Sequence, residues 1–275
     1  DFSGCGPVHL LGGTCSFFGA LLLGPRLGRF NDKAEETQDM INVSGPISRL
    51  TGLGGMILVT GFLAFNGGTQ ATMTNPGDGA TVARILINTV LGGSGGSISV
   101  MFASKMGLCG KPCWSFIYTL NGAFIGMISV CAAVNEMSMW ASFVSGIIAG
   151  PVYLIIHYII LWCRIDDPLD TVAIHFGGGF WGLISASIFS SSGFIFGINR
   201  DTLLIFAYRM AGACVIILWS AVTSCITFGF LKCIGKLRVS PEEELQGLDI
   251  SIHNEPGYPT KAWQGFGDNI KITGW

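Results

Sequence analysis

Two histidines stand inside apolar stretches, His9 in DFSGCGPVHLLGG and His175 in DDPLDTVAIHFGGGFWG. An imidazole among lipid-compatible residues is costly unless it faces a bundle interior or an aqueous cavity, so each marks a functional candidate. Neutral imidazole both donates and accepts hydrogen bonds, and burial disfavours its cation. Two in contact can hold a line of small polar molecules or pass a proton between them. A metal would want a third ligand, and no Cys, Asp or Glu stands at suitable spacing beside either one. Asp1 precedes His9 by eight residues and Asp170 precedes His175 by five, each on the same predicted helix. Asp170, embedded in its span, reads as a structural carboxylate that binds backbone or hydroxyl donors; direct cation binding by these aspartates is the alternative. His157, in YLIIHYIILW, reads as an interfacial anchor beside Tyr158 and Trp162.

The elements that must carry these side chains are membrane helices. Half of the residues are hydrophobic and 12% are charged, against about 25% charged in soluble domains. The 15 Lys/Arg and 17 Asp/Glu nearly cancel, so nothing suggests nucleic acid or an anionic surface, and no nucleic-acid partner is expected. Forty glycines suit helices that approach closely through small residues. Apolar runs of about twenty residues predict seven spans, at 3–24, 50–72, 82–105, 113–134, 140–163, 168–190 and 207–231. The stretch 191–206 reads as a loop with a short helical or strand-like piece, and 232–275 as a polar tail. Twelve of the fifteen basic residues, among them Arg26, Arg29, Lys33, Arg49, Lys261 and Lys271, fall on one side of the predicted topology. The positive-inside rule therefore puts the N-terminus outside and the tail in the cytoplasm. His9 lies eight residues into its span and His175 eight residues past Asp167, so both sit about 12 Å deep at 1.5 Å per residue. On antiparallel helices they would meet near the midplane; otherwise each is satisfied separately by a neighbouring helix.

The nine cysteines are scattered, with Cys109 and Cys113 the one close pair, and no disulfide or zinc site is expected. Nothing calls for a cofactor. The chain opens on Asp1-Phe2 without a Met and runs straight into an apolar stretch, which reads as a start inside a longer chain. The sequon Asn42-Val43-Ser44 falls in a predicted cytoplasmic loop, so glycosylation is not expected there. GGSGGS at 92–97 lacks the Lys-Ser/Thr of a phosphate loop and reads as close helix packing.

Together DFSGCGPVH (1–9), GFLAFNGGT (61–69), INTV (87–90), DDPLDTVAIHFGGGFWG (166–182) and GLDISIHNEPGY (247–258) resemble the ammonium transporter (Amt/Mep/Rh) family, specifically its Amt branch. The matches run in family order from end to end. The resemblance implies an all-α polytopic membrane bundle whose seven spans correspond to the fifth to eleventh of eleven helices. Residues 1–231 would form the transporter domain, which is not an enzyme. His9 and His175 would be the family's twin histidines in a narrow apolar pore. Phe65 would be one of two stacked rings closing the outer mouth, and Thr69 a hydroxyl where ammonium is recruited. Asp1 would shape that site, with Asp170 and Asn66 in support. The recruiting Trp and the second gate Phe belong to helices this sequence lacks, so it reads as a fragment unable to form a complete pore alone.

The implied activity is transmembrane transport of ammonium or ammonia, with deprotonation at the mouth, by a homotrimer in the plasma membrane. The alternatives are a facilitative channel for ammonia or carbon dioxide, and a non-transporting sensor. In the tail, Ser240-Pro241 followed by three glutamates predicts a helix start, and Gly247 its end. GLDISIHNE resembles the segment through which Amt subunits touch their neighbours; a solvated, disordered tail is the other reading. Phosphorylation of Ser251 beside Asp249 would add about −1.5 to −2 charge and undock it.

Overall fold

The computed structural model describes residues 1–30, 48–255 and 257. Among the described residues every regular element is helical, and seven helices are long and apolar enough to cross a membrane. The sequon, Lys33, Lys261 and Lys271 lie outside the described residues.

The first span opens as a π-helical turn, Cys5–Leu10, and continues as α1, Leu11–Leu23. The next four are α2 (Ser48–Gly68), α3 (Asp78–Lys105), α4 (Phe116–Ile128) and α5 (Met139–Trp162). The sixth repeats the plan of the first, a π-helical turn at Val172–Phe176 followed by α6, Gly177–Phe189. The last span is α7, Arg200–Cys233, and the tail carries α8, Pro241–Gln246, and α9, Leu248–Ser251.

Glycine sets the packing of the middle helices. A Cβ on Gly96 of α3 would run into Gly122 O of α4, and one on Gly146 of α5 into Gly92 O. Carbonyls and helix axes thus approach where GGSGGS lies, as close packing through small residues requires. Tyr153, Ile125 and Ile128 are fully buried in one core cluster of α4 and α5, while Met56, Ile57, Leu218 and Trp219 leave α2 and α7 apolar on the outside.

Several boundaries differ from the sequence expectation, and two of them bear on the site. The seventh span starts at Arg200, not 207, because Asn199 is a helix cap. Its side chain accepts from Thr202 N at 2.9 Å, and the Thr202 hydroxyl accepts from Asn199 N at 3.0 Å. The polar NRDT motif is a first helical turn, and the expected loop is shortened to 190–199 with a 3-10 turn, Phe194–Phe196, as its short helical piece. At the other boundary α2 stops at Gly68, and Ala71 beyond it takes a left-handed conformation, φ 63°.

Candidate functional site

The two π-helical turns are built alike. The Asp1 carboxylate accepts from Gly4 N (2.9 Å), Cys5 N (3.0 Å) and Gly6 N (2.6 Å), which satisfies the donors at the start of the first turn. Gly4 is left-handed, φ 89°, and His9 N reaches back to Gly4 O at 3.1 Å, the wide ring of a π turn. In the second turn the Asp167 Oδ2 accepts from Val172 N at 2.7 Å and Asp170 holds the left-handed position, φ 54°. Burial pushes the Asp167 carboxyl up, against the backbone N–H groups of Val172, Thr171 and Leu169. An aspartate eight residues before the histidine, a left-handed residue five before it and a glycine four after it recur in both halves. The structural counterpart of Asp1 is therefore Asp167 and not Asp170. The equal eight-residue spacing carried that signal.

Those glycines bring the halves together. A Cβ on Gly13 would meet Phe176 N, and one on Gly179 would meet Cys5 O and Leu10 N. At this crossing His9 Nδ1 lies 3.1 Å from His175 Nδ1, with the rings stacked at 5.3 Å and 15°. The expected meeting of the two imidazoles is realised. Phe62 stacks on His9 at 5.6 Å, Phe65 meets it edge-on at 5.8 Å, and Phe124 backs Phe62 at 6.2 Å. The His9 side of the pair is thus lined by aromatic rings.

Phe65 is exposed, and Thr69, one helical turn further, donates its hydroxyl to Phe65 O at 2.9 Å. Asn66, between them in sequence, is fully buried and donates to Thr89 Oγ1 at 3.0 Å. The expectation that no cysteine stands at suitable spacing beside the histidines does not hold in space: Cys131 Sγ lies 3.9 Å from His9 Nε2 and 3.3 Å from Asn66 Oδ1. It arrives from 122 residues away, beyond any local spacing rule.

Asp170 is a hub of side chains, with no backbone role of the kind Asp1 has. It accepts from the Tyr153 hydroxyl (2.6 Å) and the Asn121 amide (3.2 Å), and its Oδ1 lies 2.7 Å from His157 Nδ1. This corrects the interfacial reading of His157, whose ring is buried and also touches the Tyr118 hydroxyl at 3.4 Å. Tyr153 and His157, four residues apart on α5, share one helix face. That spacing was the available signal.

The tail clasps the end of the first span. Ser240 caps α8 in a capping box with Glu243, as expected, and Gly247 ends it with φ 88°. Glu244 accepts from Leu27 N (2.8 Å) and from Arg238 (2.7 Å), and Arg238 also donates to Leu23 O (3.3 Å). Next to Leu27, Arg26 grips Asp166 with its backbone N (3.0 Å) and guanidinium (2.7 and 2.9 Å). Burial would raise the Asp166 carboxyl, but these bonds and the nearby Arg29 charge hold it below its ordinary value. Ser251 sits on α9 with its hydroxyl buried and unpartnered among the described residues.

A sequence profile described as the Ammonium Transporter Family matches residues 1–258. The chain is 41% identical over 277 residues to a Caenorhabditis elegans protein named "Putative ammonium transporter 1", covering 96% of this chain and 51% of that protein. It is 34% identical to "Ammonium transporter Amt1" of Haloferax mediterranei, covering 94% and 49%. Among solved structures, a "Sensor Amt Protein" superposes with a TM-score of 0.77 at 24% identity, over 92% of this chain and 60% of the other. Mep2 of Saccharomyces cerevisiae superposes at 0.71 and 23%, over 88% and 53%. The chain spans about half the length of the curated relatives it matches.

Proposed function

The chain belongs to the ammonium transporter family, a family of transporters and not of enzymes, and from that premise we propose that the full-length protein moves ammonium or ammonia across a membrane along the His9–His175 pair. The observation that carries this reading is that pair, 3.1 Å apart, with Phe62 and Phe65 against His9 and Phe124 behind Phe62. Ammonium meets the exposed Phe65 ring by cation–π attraction, about 0.5–2 kcal/mol. The Thr69 hydrogen is already given to Phe65 O, so its lone pairs are free to accept from ammonium. Asp1 shapes this mouth by holding the first π turn open toward it. Entry among the rings as an ion costs several kcal/mol, so ammonium sheds a proton at the mouth and ammonia passes along the imidazole edges. Asn66 and Asp170 support the path from either side.

Residues 1–231 act as the transporter domain and 232–275 as a regulatory tail. In this reading the protein sits in the plasma membrane with the tail in the cytoplasm, as the one-sided distribution of Lys and Arg supports. Subunits form a homotrimer through the membrane domain and the GLDISIHNE segment, where Ser251 is the switch. The test is methylammonium uptake by the full-length protein in a transporter-deficient host, with His9→Ala and His175→Ala as variants. Each is expected to abolish uptake or change the transported species while the protein still folds. Normal uptake with unchanged ion selectivity in both would overturn the reading. Membrane currents under ammonium separate electrogenic transport from neutral gas conduction.

A further inference from the structure

The hydrogen-bond partners of Asn66 have a direction, and it reaches the histidine pair. Thr89 gives its one hydroxyl hydrogen to Ile85 O at 2.8 Å. It therefore offers only a lone pair to Asn66, so the amide nitrogen faces Thr89, at 3.0 Å. The amide oxygen then faces Cys131 Sγ, at 3.3 Å. Asn66 is fully buried, and a buried carbonyl oxygen requires a donor. The thiol is the one at hand. The other buried thiol, Cys5, points its hydrogen at Ile128 O, 3.0 Å away. Cys5 lies in hydrogen-bonding contact with Cys131, but its hydrogen is already given to Ile128 O, and the other oxygen beside Cys131 is Met127 O at 3.3 Å, which can only accept. Whichever of these two oxygens takes the Cys131 hydrogen, the sulfur turns a lone pair toward His9.

We infer that Cys131 is a positioning residue for His9: through the chain Thr89–Asn66–Cys131 it holds His9 as the Nε2–H tautomer and makes His175 the donor within the pair. His9 Nε2 lies 3.9 Å from Cys131 Sγ, and a sulfur lone pair is satisfied there only by an N–H. A neutral imidazole protonated on Nε2 has a bare Nδ1. That bare nitrogen faces His175 Nδ1 at 3.1 Å, so His175 supplies the N–H and leaves its own Nε2 bare. The pair is polarised in one sense. Of its two outer nitrogens, His9 Nε2 is committed to the thiol and His175 Nε2 is the free acceptor for an N–H of ammonia. Two like imidazoles would otherwise exchange donor and acceptor roles at no cost. The thiol breaks that degeneracy.

The transport consequence rests on the His9–His175 path proposed above, whereas the tautomer assignment does not. The experiment is 15N solid-state NMR of the full-length, histidine-labelled protein in lipid, with the two rings assigned by their mutual Nδ1–Nδ1 correlation. In the wild type the protonated nitrogen is expected to be Nε2 on His9 and Nδ1 on His175. Cys131→Ala should populate both tautomers of His9 and lower methylammonium uptake by about tenfold, the scale of one unmade buried hydrogen bond. Cys131→Ser, which keeps one donor and its lone pairs, should restore the wild-type pattern and most of the uptake. A wild-type His9 protonated on Nδ1 overturns the inference without any variant. So does a pattern unchanged in Cys131→Ala, whatever happens to uptake. If the tautomers mix while uptake is untouched, the inference stands and the proposed transport path fails.

Discussion

Replacing Asp170 by Asn and by Leu separates the charge of this residue from its backbone role. Its carboxylate faces three polar groups on two other helices, Tyr153, Asn121 and His157, and its side chain is 21% exposed, too little for water to take their place. Asn is nearly isosteric and tolerates the left-handed backbone. It also keeps an oxygen for Tyr153 and Asn121, while His157 can switch tautomer and accept from the new amide. What is lost is charge. Hydrogen bonds to a charged group contribute about 1.5–3 kcal/mol and neutral ones about 0.5–1.5, so three bonds weakened by roughly 1 kcal/mol each cost about 3 kcal/mol. Leu instead strands all three partners, at about 1–3 kcal/mol each. It also adds left-handed strain of about 1–2 kcal/mol, for a total above roughly 5 kcal/mol. Thermal unfolding of the detergent-solubilised full-length protein, followed by tryptophan fluorescence, should rank wild type, Asn and Leu in that order. Methylammonium uptake should fall in the same order, because Asp170 begins the turn that aims His175. Equal melting of all three proteins would refute the hub. Equal destabilisation by Asn and Leu would refute the argument that Asn retains most of the network.

Three further outcomes are expected. Gly96→Ala drives a methyl into Gly122 O and should cost about 1–3 kcal/mol by overpacking; Gly212→Ala on α7, where nothing lies within 4 Å, should melt no lower than wild type. Arg26→Ala removes the partner that keeps the Asp166 carboxyl below its ordinary value, at about 1–2 kcal/mol after discounting for solvent at the arginine. A depressed folded pKa stabilises above the unfolded value and is lost as pH falls through the folded one. Melting of wild type and Arg26→Ala should therefore differ at neutral pH and converge well below pH 3.8; a gap independent of pH would sink the ion pair. Ser251→Asp, with a new charge beside Asp249, should release the tail and reduce uptake, and wild-type uptake at equal surface abundance would end the switch idea.

The sequence spoke most clearly where a local rule acts alone. Seven apolar runs, the α8 capping box and the glycine seam at 92–97 each follow from short spacings, and each is present. The meeting of His9 and His175 followed from equal depth, since helix rise is fixed and both lie eight residues past an aspartate. What stayed hidden depends on partners distant in the chain. His157 looked interfacial because hydropathy sees its neighbours Tyr158 and Trp162 and cannot see Asp170 across the bundle. Cys131 looked like one scattered thiol because its two partners lie on other spans. The π turns left no trace in a 3.6-residue period, and α7 began early because its cap lies upstream of the apolar run that announced it.

The two half-sites share a plan, and one of the positions at which they differ sets the two ends apart. Each π turn needs a left-handed residue five before its histidine, filled by Gly4 in one half and Asp170 in the other. Glycine adopts this conformation without cost, whereas other residues resist it by about 1–2 kcal/mol. At Gly4 a side chain is excluded, since a Cβ would press on Val8 and approach Phe65, so the aromatic end stays open. At Asp170 the strain is tolerated because the side chain answers Tyr153, Asn121 and His157 together, more than offsetting it. Asp170→Gly would relieve the backbone and still destabilise the protein, because three buried polar groups would lose their acceptor. One end of the histidine pair is thus built from rings and bare backbone, the other from a carboxylate and its donors.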